Sequence, residues 1–178
     1  MSHHALKPLP ATFGATRDAL HRVAETVVAP ARVAATGNEI ALEATPGGFG
    51  TPRFPEGGSV RVEGADLVVE DGDGDVLRAS LTTLPTAARL AGLSGADLDE
   101  TPLEIDPAAA AALAALYAFA WYVLGDLRAE APADGDPSPV RLWPEHFDVA
   151  FEQGAEHAER RAGYGISPGD ADHAEPYV

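Results

Sequence analysis

Hydrophobic residues recur at helical spacing near the start of the chain. Over residues 10–29 the apolar positions form one stripe, which we expect to be buried, while charged residues and His21 occupy the opposite, exposed face. The stripe consists of Phe13, Leu20, Val23 and Val27. We expect Thr12 or Thr16 to cap this helix, and Pro30 to end it, because proline lacks the backbone donor that a helix interior requires.

The hydrophobic period falls to about 2 residues after residue 32, which predicts strands. The predicted strands are residues 39–43, 60–63, 66–70 and 76–81. They form an antiparallel meander with a hairpin turn at residues 64–66. Residues 45–58, rich in glycine and proline, predict a loop that carries a short strand at 49–54. A short helix is predicted at residues 85–93.

Residues 107–127 are apolar almost all round, which predicts a long helix buried inside the protein. Its uncharged core, residues 108–124, is 17 residues long, near the shortest length that crosses a bilayer. Nine of these residues are alanine, and the flanking charges, Asp106 and Asp126, are acidic. Because membrane helices favour stronger hydrophobes and basic flanks, we expect a core helix of a soluble protein.

The C-terminal third returns to strand periodicity after a predicted flexible linker at residues 129–139. Apolar and polar residues alternate after Pro144, which predicts a strand with one face in the core. The inward set is Phe147, Val149 and Phe151, and the outward set is His146, Asp148, Ala150 and Glu152. Residues 156–165 predict a helix or a strand, and residues 175–178 predict the beginning of a strand cut short, with Tyr177 beside another strand.

These elements predict a single α+β domain over residues 1–178. A mainly antiparallel sheet, built from the meander and the C-terminal strands, packs against the N-terminal amphipathic helix and the long buried alanine-rich helix. Flexible segments are expected near residues 1–9, 45–58 and 129–139.

Charge and cysteine content remove several function classes. The 178 residues include 28 acidic and 12 basic side chains, a net charge of -16, so nucleic acids and anionic membranes are poor partners. The absence of cysteine excludes disulfides, thiolate zinc sites and a cysteine nucleophile. With no secretion signal in residues 1–10, we expect a soluble cytoplasmic protein without a cofactor.

The outward face of the last predicted strand carries the candidate chemistry. His146, Asp148 and Glu152 have the side-chain types of a metal or acid–base site, although a solvated sheet face carries the same residues. Helper residues for such a site are Glu156, His157, Asp170, His173 and Glu175. Trp143, next to Pro144, is a candidate floor for a ligand pocket that includes His146 and Asp148.

One acidic segment imitates a calcium loop. Asp71, Asp73 and Asp75 match its first half, but Val76 and Thr82 stand where an EF-hand needs glycine and glutamate. We therefore expect a hairpin turn.

Several short motifs together resemble an uncharacterised bacterial family, classed as a domain of unknown function. They are residues 16–21, residues 50–52, residues 138–143 and residues 147–150. The resemblance implies an α+β domain and supplies no activity, cofactor or catalytic residue. The chain departs from the family pattern after Ile40, where Ala44, Thr45 and Pro46 stand in place of the family's histidine and tryptophan.

Two functions from different classes remain open. The first is non-catalytic binding of a small ligand or a protein partner. The alternative is a metal-assisted hydrolase or a similar enzyme that uses His146, Asp148 and Glu152. Contacts between copies in a homo-oligomer are compatible with both.

Overall fold

The protein has an α+β fold, as the sequence predicts, and its antiparallel strands form two sheets, one from the meander and one from the C-terminal strands. The structure, a computed structural model, describes residues 8–132, 134–154 and 161–178. The helices are α1 (Phe13–Val23), which continues through a π-helical segment (Ala24–Val28) into α2 (Ala29–Thr36), then α3 (Leu84–Leu90) and α4 (Pro107–Ala129). The first sheet contains β1 (Glu43–Thr45), β2 (Gly48–Gly50), β3 (Ser59–Glu63), β4 (Asp66–Glu70) and β5 (Val76–Ser80), and the second contains β6 (Arg141–Trp143), β7 (Asp148–Gln153) and β8 (Ala162–Ile166).

The first helix does not end at Pro30, so that prediction is wrong. The backbone widens into the π-helical segment, where the N–H of Ala29 donates to the carbonyl of Ala24. A π turn gives the proline ring room and places its missing donor in the first turn of α2. The helix ends instead at Gly37, whose φ of 93° is readily adopted only by glycine.

Two residues on the face of α1 that the sequence predicts to be exposed contact the C-terminal third of the chain. Arg17 is buried and donates to Asp18 and to the carbonyl of Ala174. The ring of His21 stacks on Phe147, with centroids 4.9 Å apart and an interplanar angle of 4°. The side chain of His21 is 30% exposed, so the predicted exposure is only partly correct, because tertiary contacts cover part of a face that the helical pattern marks as polar.

The meander forms the first sheet with strand order β1-β2-β3-β4-β5 and a turn between Glu63 and Asp66, as predicted. Residues 39–43 pair less than predicted: only Glu43 belongs to β1, while Leu42 exchanges backbone hydrogen bonds of 2.7 and 2.9 Å with Leu142 and so joins the two sheets. The predicted loop at residues 45–58 contains β2, whose three residues are all buried. Its glycines are required by close packing, since a Cβ at Gly48 would lie 2.2 Å from the carbonyl oxygen of Val62.

Helix α4 is buried on one face only, which corrects the prediction of a helix enclosed on all sides. Its buried residues are Ala109, Ala110, Leu113, Tyr117, Ala120 and Leu124. Phe119 and Tyr122 on the opposite face are 58% and 68% exposed. Among the described residues, α4 is the one helix long and apolar enough to cross a membrane, a test that core helices of soluble proteins also pass. Here its Tyr117 face packs into the core.

The second sheet contributes the predicted inward residues to the core. Phe147, Val149 and Phe151 are all buried, which confirms the predicted face, although Phe147 lies in the turn before β7 rather than in the strand. Tyr177 pairs with the backbone of Ser167, just after β8, as expected. The prediction for residues 156–165 falls partly outside the described residues, and its end, from Ala162, is strand.

Candidate functional site

The turn between β6 and β7 places Trp143 opposite Asp148. The N–H of Phe147 donates to the carbonyl of Trp143 at 2.7 Å, which closes the turn. Trp143 and Asp148 are then the first directly paired residues of the two strands. Because directly paired residues project to the same face of a sheet, the indole and the carboxyl group are neighbours on the face away from the core.

That outer face forms the wall of a cavity of about 800 Å³, here called the sheet-face cavity. It is lined by Glu39, Ser138, Pro139, Arg141, Trp143, Asp148, Ala150, Phe151, Glu152, Gly163, Tyr164 and Gly165. Two glycines of β8 keep it open. A Cβ at Gly163 would meet no atom within 4 Å, and one at Gly165 would lie 3.6 Å from Asp148 Oδ2. A side chain at either position would project into the cavity and reduce its volume.

Asp148 has an unusual environment for a carboxyl group. Its Oδ1 atom is buried and accepts no hydrogen bond from the residues that the structure describes, although Asp148 as a whole is only partly buried. Burial raises the pKa of Asp148, and the charge of His146 partly opposes this shift while that of Glu145 adds to it. A hydrogen bond from the backbone N–H of Asp148 itself also lowers this pKa, but the buried Oδ1 atom lacks the hydrogen bonds that buried charged oxygens normally receive.

The other charged groups of the cavity are paired. Arg141 Nη1 lies 3.3 Å from Glu39 Oε2, and Arg161 Nε lies 2.9 Å from Glu152 Oε2. Glu152 is also fixed through its backbone, since Ser138 Oγ accepts from its N–H at 2.9 Å. Among the described residues, no basic side chain lies within 4.0 Å of the Asp148 carboxylate. Asp148 is therefore the carboxylate in this cavity that lacks an ion-pair partner in the described parts of the chain.

The structure brings together most, but not all, of the residues singled out in the sequence. Trp143, Asp148 and Glu152 line the same cavity, while His146 is exposed in the turn and is not part of its lining. The reason is that the alternating pattern begins at Asp148, so His146 precedes the strand and does not share its outer face. Within residues 8–132, 134–154 and 161–178, no three His, Asp or Glu side chains are grouped as metal ligands.

The proposed helper residues lie elsewhere or outside the described residues. Asp170 and His173 face each other at 3.5 Å in the loop after β8, where Tyr177 also donates to Asp170. Glu156 and His157 lie outside the described residues. Asp170, His173 and Glu175, the three helper residues that the structure describes, are not part of the lining of the sheet-face cavity.

Sequence reasoning missed both glycines and one ion pair of the site. The alternation of Gly163, Tyr164 and Gly165 was the available signal, because glycines at a period of two remove the side chains from one face of a strand. Glu39 and Arg141 are 102 positions apart, and no local pattern connects them.

Two other cavities are smaller and lack an unpaired buried carboxylate oxygen. One, of about 460 Å³, is lined by α2 and the turn at Pro144 and Glu145. The other, of about 570 Å³, lies between residues 44–47 and the Trp121 side of α4. In the sheet-face cavity an aromatic ring and an unpaired carboxyl group share one wall, which makes it the candidate site.

The comparisons with known proteins add no assignment. No protein-family model, curated protein or solved structure matches the chain.

Proposed function

We propose that this protein is a non-catalytic binding domain that holds a small organic molecule in the sheet-face cavity. The observation that carries the proposal is the cross-strand pair of Trp143 and Asp148. Both residues lie on a wall of the cavity that Gly163 and Gly165 leave open. An indole offers a flat apolar surface, and a carboxylate accepts hydrogen bonds. A ligand with a planar or apolar body and a polar donor fits both groups.

Binding suits the site better than acid–base catalysis. Catalysis by carboxyl groups commonly uses two titratable groups with separate tasks. In this cavity Glu39 and Glu152 are each paired with an arginine, which leaves Asp148 as the one carboxylate without such a pair in the described residues. A single carboxylate of this kind orients a ligand by accepting a hydrogen bond from it.

The proposal includes a cytoplasmic location and no nucleic-acid or membrane partner. The net charge of -16 supports the absence of nucleic-acid and membrane partners, because electrostatic repulsion opposes contact with polyanions and anionic lipid surfaces.

The emission of Trp143 tests the proposal. The protein has two tryptophans, so Trp121→Phe on α4 leaves Trp143 as the sole tryptophan signal. We expect small aromatic probes, namely benzylamine, benzyl alcohol and benzoate, to include at least one that changes this emission in a saturable way. Thermal melting of the unmodified protein with the same probes gives a second reading, because a ligand that binds the folded state raises the melting temperature.

A blocking variant locates the binding. Gly163→Leu fills the cavity at a position with no atom within 4 Å, so we expect the fold to persist and saturable binding to disappear. Ala162→Leu is the matched control, since the neighbouring side chain points to the opposite face of β8. Saturable binding that survives Gly163→Leu, or its absence with all three probes, would overturn the proposal.

A further inference from the structure

We infer that the ligand of the sheet-face cavity is a small organic ammonium ion, held with its charge between the indole of Trp143 and the carboxylate of Asp148. The inference rests on the proposed function and specifies the chemical class of its ligand. Charge, burial and shape each support it.

The balance of charge in the cavity favours a cation. Among the described residues, three carboxylates line it, from Glu39, Asp148 and Glu152, against one guanidinium, that of Arg141. Arg161 pairs with Glu152 from outside the lining, so two of the three negative charges are neutralised by arginines. The Asp148 charge has no such partner among the described residues, and a bound ammonium group supplies it.

The burial of Asp148 strengthens this preference. Among the described residues, Oδ1 is enclosed and has no hydrogen-bond donor, so burial destabilises the ionised carboxylate more than its own N–H and the charge of His146 stabilise it. The negative charge is shared by both oxygens, so a cation next to Oδ2, on the Gly165 side, stabilises the whole group. A neutral donor offers only a hydrogen bond, and an anion is repelled.

The remaining walls suit an ammonium group attached to an apolar body. The indole of Trp143 attracts cations through the negative face of its ring system, and among the aromatic side chains it does so best. A Cβ at Gly165 would lie 3.2 Å from Ala150 Cβ and beside Asp148 Oδ2. Glycine at this position therefore keeps the carboxylate reachable.

Selectivity among three probes of similar shape tests the inference. In the Trp121→Phe protein near neutral pH, we expect benzylammonium to bind about tenfold or more tightly than benzyl alcohol, and benzoate to bind most weakly. Asp148→Asn keeps the side-chain shape and removes the charge, so we expect it to abolish the preference for benzylammonium over benzyl alcohol. Glu145→Gln removes a carboxylate of the adjacent turn that is not part of the lining, and we expect it to keep that preference.

The outcomes separate this inference from the proposed function. Equal affinities for benzylammonium and benzyl alcohol in the otherwise unmodified cavity would overturn the ammonium inference and leave the proposed function standing. The same conclusion would follow if Asp148→Asn and Glu145→Gln had equal effects. Failure of all three probes to bind would overturn the proposed function itself.

Discussion

The hydroxyl group of Tyr117 donates a hydrogen bond to the carbonyl oxygen of Phe147 at 2.7 Å. This bond joins α4 to the turn that sets Trp143 opposite Asp148. Phe147 has a φ of 54°, in the left-handed region that bulky residues rarely occupy. Its ring packs edge-to-face on Phe49 and Tyr117, with centroids 5.1 and 5.4 Å apart, so the core holds the turn in this conformation.

Loss of the Tyr117 hydroxyl should therefore weaken the protein. In Tyr117→Phe the ring packing remains, but the buried carbonyl of Phe147 loses its partner, and we expect a loss of about 1–3 kcal/mol in the free energy of unfolding. Urea denaturation measures it. Tyr122→Phe, at an exposed position of the same helix, is the control and should change stability by less than about 0.5 kcal/mol. Equal effects of the two substitutions would contradict the role assigned to this hydrogen bond.

The core face of β7 makes a second prediction. Phe151 is 2% exposed and stacks on Tyr164, so Phe151→Ala should cost about 3–5 kcal/mol through lost burial and the cavity it creates. Phe119→Ala is the matched control on the exposed face of α4, where we expect a much smaller change. Thermal and urea unfolding compare them, and an unchanged Phe151→Ala melt would show that the strand face is misassigned.

Asp148 predicts a specific dependence of stability on pH. Its pKa is raised in the folded protein by burial, so between the ordinary value of 3.8 and the folded value the native state binds more protons than the unfolded state. Stability from this group is thus present at low pH and is lost as pH rises through the folded pKa. Relative to Asp148→Asn, the native protein should lose stability as the pH rises above the ordinary value of 3.8 and through the raised pKa of the folded state. A difference between the two proteins that stays constant, or grows in favour of the native protein, would contradict the assigned environment.

Local patterns predicted the elements whose neighbours in sequence are also neighbours in space. The hairpin between β3 and β4 needs only two alternating segments and Gly64, whose φ is 60°. Helix α4 begins at Pro107, where Asp106 caps it by accepting from the N–H of Ala109 at 2.9 Å. The inward face of Phe147, Val149 and Phe151 also followed from the alternation of residue types.

Predictions failed where the spacing of apolar residues carries no signal. The continuation of the helix past Pro30 depends on the π-helical segment, which no apolar spacing signals. His21 is partly buried because its ring packs on Phe147 and its Nε2 lies 2.8 Å from the carbonyl oxygen of Pro144. Both contacts cross more than 120 residues of chain, and the polar character of His21 alone gives no sign of them.

The sequence predicts only part of the candidate site, because some of its residues are close along the chain and others are brought together only by folding. Trp143 and Asp148 belong to one short hairpin, so the sequence could place them together. His146 was misplaced because the turn takes up the residues before Asp148, which shifts the start of the strand. The open space above Gly163 and Gly165 exists because these residues of β8 carry no side chains. It lies beside Trp143 and Asp148 only once the three strands of the second sheet have come together.

The most direct test of the account is a map of the bound ligand on the protein surface. Nuclear magnetic resonance spectra of the ¹⁵N-labelled native protein, titrated with benzylammonium, report each backbone amide and each indole N–H separately. We predict saturable shifts at the Trp143 indole and at the amides of Gly163 and Gly165, which surround the sheet-face cavity. Shifts confined to residues 29–34 or 44–47, which line the two smaller cavities, would contradict the proposed ligand site. The absence of any saturable shift would contradict it as well.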